Sequence, residues 1–250
     1  YQATPLESIR SPKAFLTTVI TRLSLNQLES ARVKRETYIG PWLPEPILTG
    51  GEASLETTDQ AILHESISVA FLVLLEALTP LERAVFLLHE VFDFEYGEIA
   101  EIVDKEEAAC RQIYSRAKKH ITEHRPRFKT NHEKHREVLG RFMRAANAGE
   151  LDGLMQLLKD DVTMWADGGG KAKGAAIRPL HGREAVARFL LASTRLPTES
   201  YRAEVGEVNS EPSIILRSGD KAFLVAFITI DQDKIEEIRV IGNPDKLQRI

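Results

Sequence analysis

Residues 108–129 carry seven basic side chains, Arg111, Arg116, Lys118, Lys119, Arg125, Arg127 and Lys129, against one acid, Glu123. That is a net +6 within 22 residues, and it follows an acidic stretch running from Glu82 to Glu107. On a helix turning about 100° per residue, Ala109, Cys110, Ile113 and Ala117 share one side, while Ala108, Arg111, Gln112, Ser115, Lys118 and Lys119 share the other. Small residues at the start of such a helix allow it into a DNA major groove. Arg, Gln and Ser then meet base edges, and Lys and Arg meet phosphates. The candidate DNA-contacting set is therefore Arg111, Gln112, Ser115, Arg116, Lys118 and Lys119. Glu106 and Glu107 would repel phosphates if they faced DNA, but acids also suit a helix N-terminus. The competing reading is an ordinary solvated helical hairpin. Cys110 has no second ligand at metal spacing and reads as core filler, so no metal is expected.

A second group, Asp161, Trp165, Asp167, Lys171 and His181, holds side-chain types that could serve acid–base chemistry. A buried carboxylate with a raised pKa can abstract a proton next to a carbonyl. Yet no general acid pairs with it in the sequence, and no pair of hydroxyls is placed to hold an oxyanion. Asp167-Gly168-Gly169-Gly170-Lys171 reads more simply as a turn, and His181 before Gly182 as a helix-flanking residue. Glycines there could also expose backbone N–H groups to an anion. The run lacks the spacing and the following Ser or Thr of a nucleotide-binding loop, so neither nucleotide nor other cofactor is expected.

The elements that must hold these residues are legible. Ser11-Pro12 opens a helix with Phe15, Leu16, Val19, Ile20 and Leu23 at helical spacing. Residues 39–57 hold three prolines and three glycines and read as a linker. Its stiff segment Trp42-Leu43-Pro44-Glu45-Pro46 is too apolar for a free tether and is expected to dock, with Trp42 largely buried. Helices are predicted over 62–77, from Thr79-Pro80 through Phe92, over 96–103 and over 106–123. The last two, joined by a three-residue turn, make a helix-turn-helix. Beyond Pro126, helices are predicted over 132–148, 150–158 and 182–194, with a strand over 161–166. Four more strands follow over 201–208, 213–217, 221–230 and 234–241 as an antiparallel meander. This ordering is an α+β domain.

Composition bounds the class. The chain of 250 residues has net charge −4, one cysteine and 43% hydrophobic residues. No internal disulfide is available, no apolar run approaches the ~18–20 residues of a membrane span, and no signal pattern opens the sequence. A cytoplasmic protein with no membrane partner is expected.

SPKAFLTTVITRLSLNQLESARVKRETYIGPWLPEP, LTPLERAVFLLHEVFDFEYGEIAEIV and EEAACRQIYSRAKKH together resemble an extracytoplasmic-function RNA polymerase sigma factor. More narrowly, the chain resembles the subgroup with a SnoaL-like extension in place of a separate anti-sigma protein. The segments carrying this are Trp42-Leu43-Pro44-Glu45-Pro46, Asp167-Gly168-Gly169-Gly170-Lys171 and Asn243-Pro244-Asp245-Lys246-Leu247. The resemblance implies a multidomain fold, all-α sigma regions followed by an α+β cone of helices on a curved antiparallel sheet. It divides the chain into a remnant of region 2 (1–38), the linker (39–57), region 4 (58–128) and the SnoaL-like domain (129–250). Most of region 2 is expected to precede Tyr1. The implied partners are the −35 promoter element and the polymerase core, with no separate anti-sigma protein. Asn243–Leu247, otherwise a C-terminal turn, becomes a docking element, and with Asp167–Lys171 it is expected to form one regulatory contact with the linker. The rival readings are a small-molecule-binding or isomerase-type domain using Trp165, Asp167 and His181, and a plain repressor that uses the helix-turn-helix without polymerase.

Overall fold

A computed structural model describes residues 11–36, 38–49, 68–124, 132–194 and 200–250. The chain breaks into two compact units, with divisions at Thr37/Tyr38, Val69/Ala70 and Arg125/Pro126. Tyr38–Thr49 thus belongs with the C-terminal unit and not with the helices on either side of it.

The helical unit comprises α1 (Pro12–Glu36), α2 (Val69–Ala77), α3 (Pro80–Glu90), α4 (Tyr96–Val103) and α5 (Glu107–His124). The start of α3 is set locally. Thr79 Oγ1 accepts from the Glu82 N–H at 3.3 Å, Glu82 Oε2 accepts from the Thr79 N–H at 3.0 Å, and Pro80 takes the first helical position. α4 ends where Asp104 turns left-handed at φ 55°, which redirects the chain into α5. Cys110 and Ile113 of α5 pack with Val85, Leu88, Ile99 and Ile102, and Ala117 and Ile121 pack with Leu75, Leu78 and Phe86. The predicted apolar stripe of α5 is therefore its buried face, and Cys110 is core. Of the helix predicted over 62–77, residues 62–67 lie outside the described residues. So do Arg125, Arg127 and Lys129 of the basic run.

The C-terminal unit holds α6 (His132–Ala148), α7 (Leu151–Leu157), β1 (Leu158–Asp167), β2 (Leu180–His181), α8 (Arg183–Thr194), β3 (Arg202–Val208), β4 (Glu211–Ser218), β5 (Lys221–Asp231) and β6 (Lys234–Ile241). The sheet order is β2-β1-β6-β5-β4-β3. β3 to β6 form the expected meander, tightened by two-residue turns at Asn209-Ser210 and Gln232-Asp233, all four with positive φ. One expectation needs correcting: the sheet is not wholly antiparallel. β1 lies parallel to β6, with Trp165 opposite Arg239 and Asp167 opposite Ile241. Two strands separated by the whole meander have no hairpin to impose antiparallel pairing. β2, two residues long, carries too little alternation to be read from sequence.

Register sorts the side chains. Met164, Ala166, Ile214, Ala226, Ile228, Ile238 and Val240 face α6, α7 and α8, where Val138, Leu139, Leu154 and Val186 complete the core. The opposite face carries Ile215, Val225, Phe227 and Ile241, which are also buried. The same face also carries Thr229, Glu237 and Arg239.

Thr79→Ala removes the acceptor at the start of α3 and should lower the stability of the helical unit by about 1 kcal/mol. Urea denaturation followed by circular dichroism at the helix band measures it.

Candidate nucleic-acid interface and linker-binding site

Arg111, Gln112, Ser115, Arg116, Lys118 and Lys119 are all exposed along α5. Gln112, Ser115 and Arg116 make no side-chain hydrogen bond or ion pair among the described residues. Arg111 is ion-paired with Glu107, and its guanidinium lies 4.7 Å from the centre of the Tyr96 ring. Glu107, a possible repellent of phosphate, thus orients Arg111. Lys119 sits 3.8 Å from Glu123, a loose surface pair. Lys118 is held more firmly, with Nζ 2.6 Å from Glu90 Oε1 and 2.7 Å from the Tyr114 hydroxyl. Those two hydrogen bonds hold its pKa above the usual lysine range, and the bond from Lys118 pulls Glu90 below the usual carboxylate range. A phosphate would have to compete with Glu90 for Lys118, whereas Gln112, Ser115 and Arg116 are free at once.

The second site is built around Asp167, the last residue of β1, which is completely buried. Its backbone carbonyl accepts from the N–H groups of Gly242 and Asn243 at 2.9 and 3.0 Å, which joins the two loops that follow β1 and β6. Its carboxylate accepts from the Leu43 N–H at 2.8 Å, from Lys246 Nζ at 2.7 Å and from the Tyr38 hydroxyl. Lys246, also buried, donates to the Leu43 carbonyl, and its ammonium lies 3.5 Å from the centre of the Trp42 ring. Trp42 meets Tyr38 edge-on at 4.7 Å, and Asn243 Nδ2 donates to the Tyr38 hydroxyl at 2.7 Å. Burial, then the hydrogen bond to Asp167, keeps the Tyr38 phenol protonated well above the usual tyrosine range. Gly169 makes the close approach possible: at φ +57°, a Cβ there would lie 2.4 Å from Asn243 Nδ2 and 2.9 Å from the Tyr38 hydroxyl. Lys171 and Asp245 pair at 2.5 Å across the two loops, in solvent.

From there the segment crosses to the far edge of the sheet. The Asn209 N–H donates to the Ile47 carbonyl at 2.8 Å, the Ile47 N–H to Asn209 Oδ1 at 3.0 Å, and the Thr49 N–H to the Glu207 carbonyl at 3.1 Å. Leu48 bridges Val208 in antiparallel fashion, which occupies the open edge of β3. Leu43, Pro44 and Pro46 are buried, whereas Trp42 is only half-buried. Trp42 keeps part of its surface in solvent: one face of the indole covers the Lys246 ammonium, and the smaller neighbours fill the groove. Tyr38, Asn209 and Thr49 were not singled out from sequence. The spacing of Tyr38 four residues before Trp42 was the available signal for the first, and a two-residue turn for the second.

The pocket residues do not converge. A cavity of about 1040 Å³ lies in the C-terminal unit, with Phe142, Met164, Phe189 and Ile238 on its wall. Trp165 alternates to the opposite face, under Arg239 at 5.2 Å. His181 hydrogen-bonds Thr163 Oγ1 at 3.2 Å on β2, Asp161 is exposed, and neither lines the cavity. Asp167 and Lys171 reach the wall, with their charges engaged by Lys246 and Asp245. Among the described residues, no group of three His, Cys, Asp or Glu is placed to hold a metal, and no helix is long and apolar enough to cross a membrane.

Residues 68–121, spanning α2 to most of α5, match the sigma-70 region 4 family, and residues 139–238 match the SnoaL-like domain family. The chain is 37% identical over 248 residues to the ECF RNA polymerase sigma factor SigJ of Mycobacterium tuberculosis, covering 95% of this chain and 79% of that one. The chain belongs to the extracytoplasmic-function (ECF) sigma factors. The crystal structure of the M. tuberculosis sigma factor SigJ superposes with a TM-score of 0.71 at 35% identity, covering 98% of this chain and 84% of that one. A probable ECF sigma factor of the same species, SigI, is 29% identical over 248 residues, covering 97% and 81%. In this sigma factor α5 is thus the last helix of region 4. The Asp167 site joins the SnoaL-like unit to a segment that neither family match includes.

Two outcomes follow. Asp167→Asn leaves the buried Lys246 ammonium without its counter-charge and should weaken linker attachment by about 3–5 kcal/mol. With Trp165→Phe as background, Trp42 emission and its iodide quenching would report the release. The second outcome concerns Glu211, beside the hairpin that holds Thr49. Burial raises its carboxyl from the usual 4.5 to about 7, partly opposed by Arg239 and a hydrogen bond from Ser68. Between pH 4.5 and 7 the folded state therefore holds a proton that the unfolded chain has lost, so stability falls as pH rises through that window. Glu211→Gln should flatten this slope in thermal melts.

Proposed function

We propose that this sigma factor directs RNA polymerase to promoters by reading the −35 element with α5, and that its SnoaL-like unit regulates it in cis without catalysis. The observation that carries the first half is the exposed face of α5. Its unengaged Gln112, Ser115 and Arg116 lie beside an Arg111 already oriented by Glu107 and Tyr96. Base edges need such polar groups, while Arg116 and Lys119 serve phosphates and Lys118 joins them by leaving Glu90.

The second half rests on Asp167. A segment following α1 is gripped at both ends by the SnoaL-like unit, through Tyr38 and Leu43 at one and Ile47 and Thr49 at the other. Attachment of this length of chain limits how far the sigma regions can separate, and a tethered contact acts at an effective concentration of roughly millimolar. A partner held within the chain takes the role a separate anti-sigma protein would have, so none is required. Against catalysis stand the dispersal of Trp165 and His181 away from the cavity and the neutralisation of Asp167 by Lys246. Promoter DNA and polymerase core as partners put the protein in the cytoplasm.

Binding and transcription test this together. Arg111→Ala should cost about 1–3 kcal/mol on a cognate −35 duplex and relax sequence preference. Lys119→Ala should weaken all duplexes alike and lower the salt slope by about one. Equal loss on cognate and scrambled DNA for Arg111→Ala would refute base reading. In polymerase-dependent transcription, Asp167→Asn should move output in the same direction as removal of residues 132–250. Parental output from Asp167→Asn would exclude the linker contact as the regulator.

A further inference from the structure

The cavity of about 1040 Å³ is larger than side-chain packing leaves by accident and falls at the upper end of the range for small-molecule sites. Its wall is mainly apolar, with Phe142, Met143, Phe189, Leu190, Leu216 and Leu224 as the large contributors. The charged residues around it are unevenly engaged. Asp167 is matched by Lys246 and Lys171 by Asp245. Lys173 and Lys221, both exposed, have no ion-pair partner among the described residues, and they outnumber the one remaining acidic side chain on the wall, Asp220.

The same two loops serve the cavity and the linker, through alternate residues. Ala166 lines the cavity and the next residue, Asp167, binds Tyr38 and Leu43. Asn243 binds Tyr38 while Pro244 lines the cavity; Lys246 binds Leu43 while Leu247 lines the cavity. Backbone bonds from Gly242 and Asn243 to Asp167 tie the loops together. A molecule pressing on Pro244 and Leu247 displaces backbone shared with the groups that hold the linker.

We propose that this cavity binds an apolar molecule with a single anionic group, a long-chain carboxylate in chemical class, and that occupancy changes the grip of the SnoaL-like unit on Tyr38 and Leu43. The apolar body fills the wall and the anion meets Lys173 and Lys221. This proposal rests on the cis-regulatory reading above and supplies its signal.

Dodecanoate is the probe, titrated by calorimetry into the whole chain below its micellar concentration, with dodecyltrimethylammonium as the charge-reversed control. Saturable one-site binding of dodecanoate, much weaker for the cation, is expected. Ala203→Trp, which fills the cavity, should abolish binding. The double variant Lys173→Glu/Lys221→Glu alters only exposed side chains and should weaken it roughly ten-fold. Tyr38 is not itself a lining residue and bonds the wall through the Asp167 carboxylate, so by reciprocity Tyr38→Ala should shift dodecanoate affinity by about five-fold or more. Absence of saturable binding, or equal binding by the charge-reversed lysine variant, overturns the site. An unchanged affinity in Tyr38→Ala overturns the coupling. None of these readouts uses polymerase, so they fail separately from cis-regulation, which fails if Asp167→Asn transcribes like the parent.

Discussion

The buried ion pair between Asp167 and Lys246 is the constraint on which the C-terminal half of this sigma factor depends. Two opposite charges withdrawn from water are tolerable only when every remaining lone pair and proton is satisfied. Here the satisfaction comes from the linker: the Leu43 amide and Tyr38 hydroxyl complete the carboxylate, and the Leu43 carbonyl and Trp42 ring complete the ammonium. With the linker lifted away, both charges would have to be rehydrated. The buried pair and the attached linker are therefore stabilised together.

The helical unit works by the opposite logic. None of its described charged residues is buried, and its packing rests on two small apolar clusters around Phe86, Ile99, Cys110 and Ala117. Exposed polar groups stay hydrated and cost little to hold at a surface. Lys118 is held more closely, by Glu90 and Tyr114, and Arg83 donates to the Leu75 carbonyl at 2.8 Å.

The sheet of the SnoaL-like unit separates two roles by strand alternation. One face closes on the cavity and the three helices; the other carries Asp167 and ends, at β3, in the edge that Leu48 covers. Neighbouring residues in the loops after β1 and β6 face these two regions in turn, so cavity and linker share a backbone without sharing a side-chain contact except at Asp167.

Local features were legible in the sequence because their causes are local. The Thr79-Pro80-Glu82 cap, the division of α5 into an apolar and a polar face, the helix-then-strand order and the glycine-rich loop all follow from residues within a few positions of each other. The family resemblance likewise rested on contiguous segments. What the tertiary structure alone decided is which distant segments meet. The parallel pairing of β1 with β6, the burial of Asp167 124 residues from Leu43, and the part played by Asn209, 162 residues from Ile47, leave no periodic trace in either partner. Trp42 illustrates the same limit: its size argued for burial, but nothing in the sequence said that it would lie over the ammonium of Lys246 while Leu43 and the prolines fill the groove. Hydropathy reports what a side chain would gain by leaving water. Only the packed chain determines whether a site of the right shape exists to receive it.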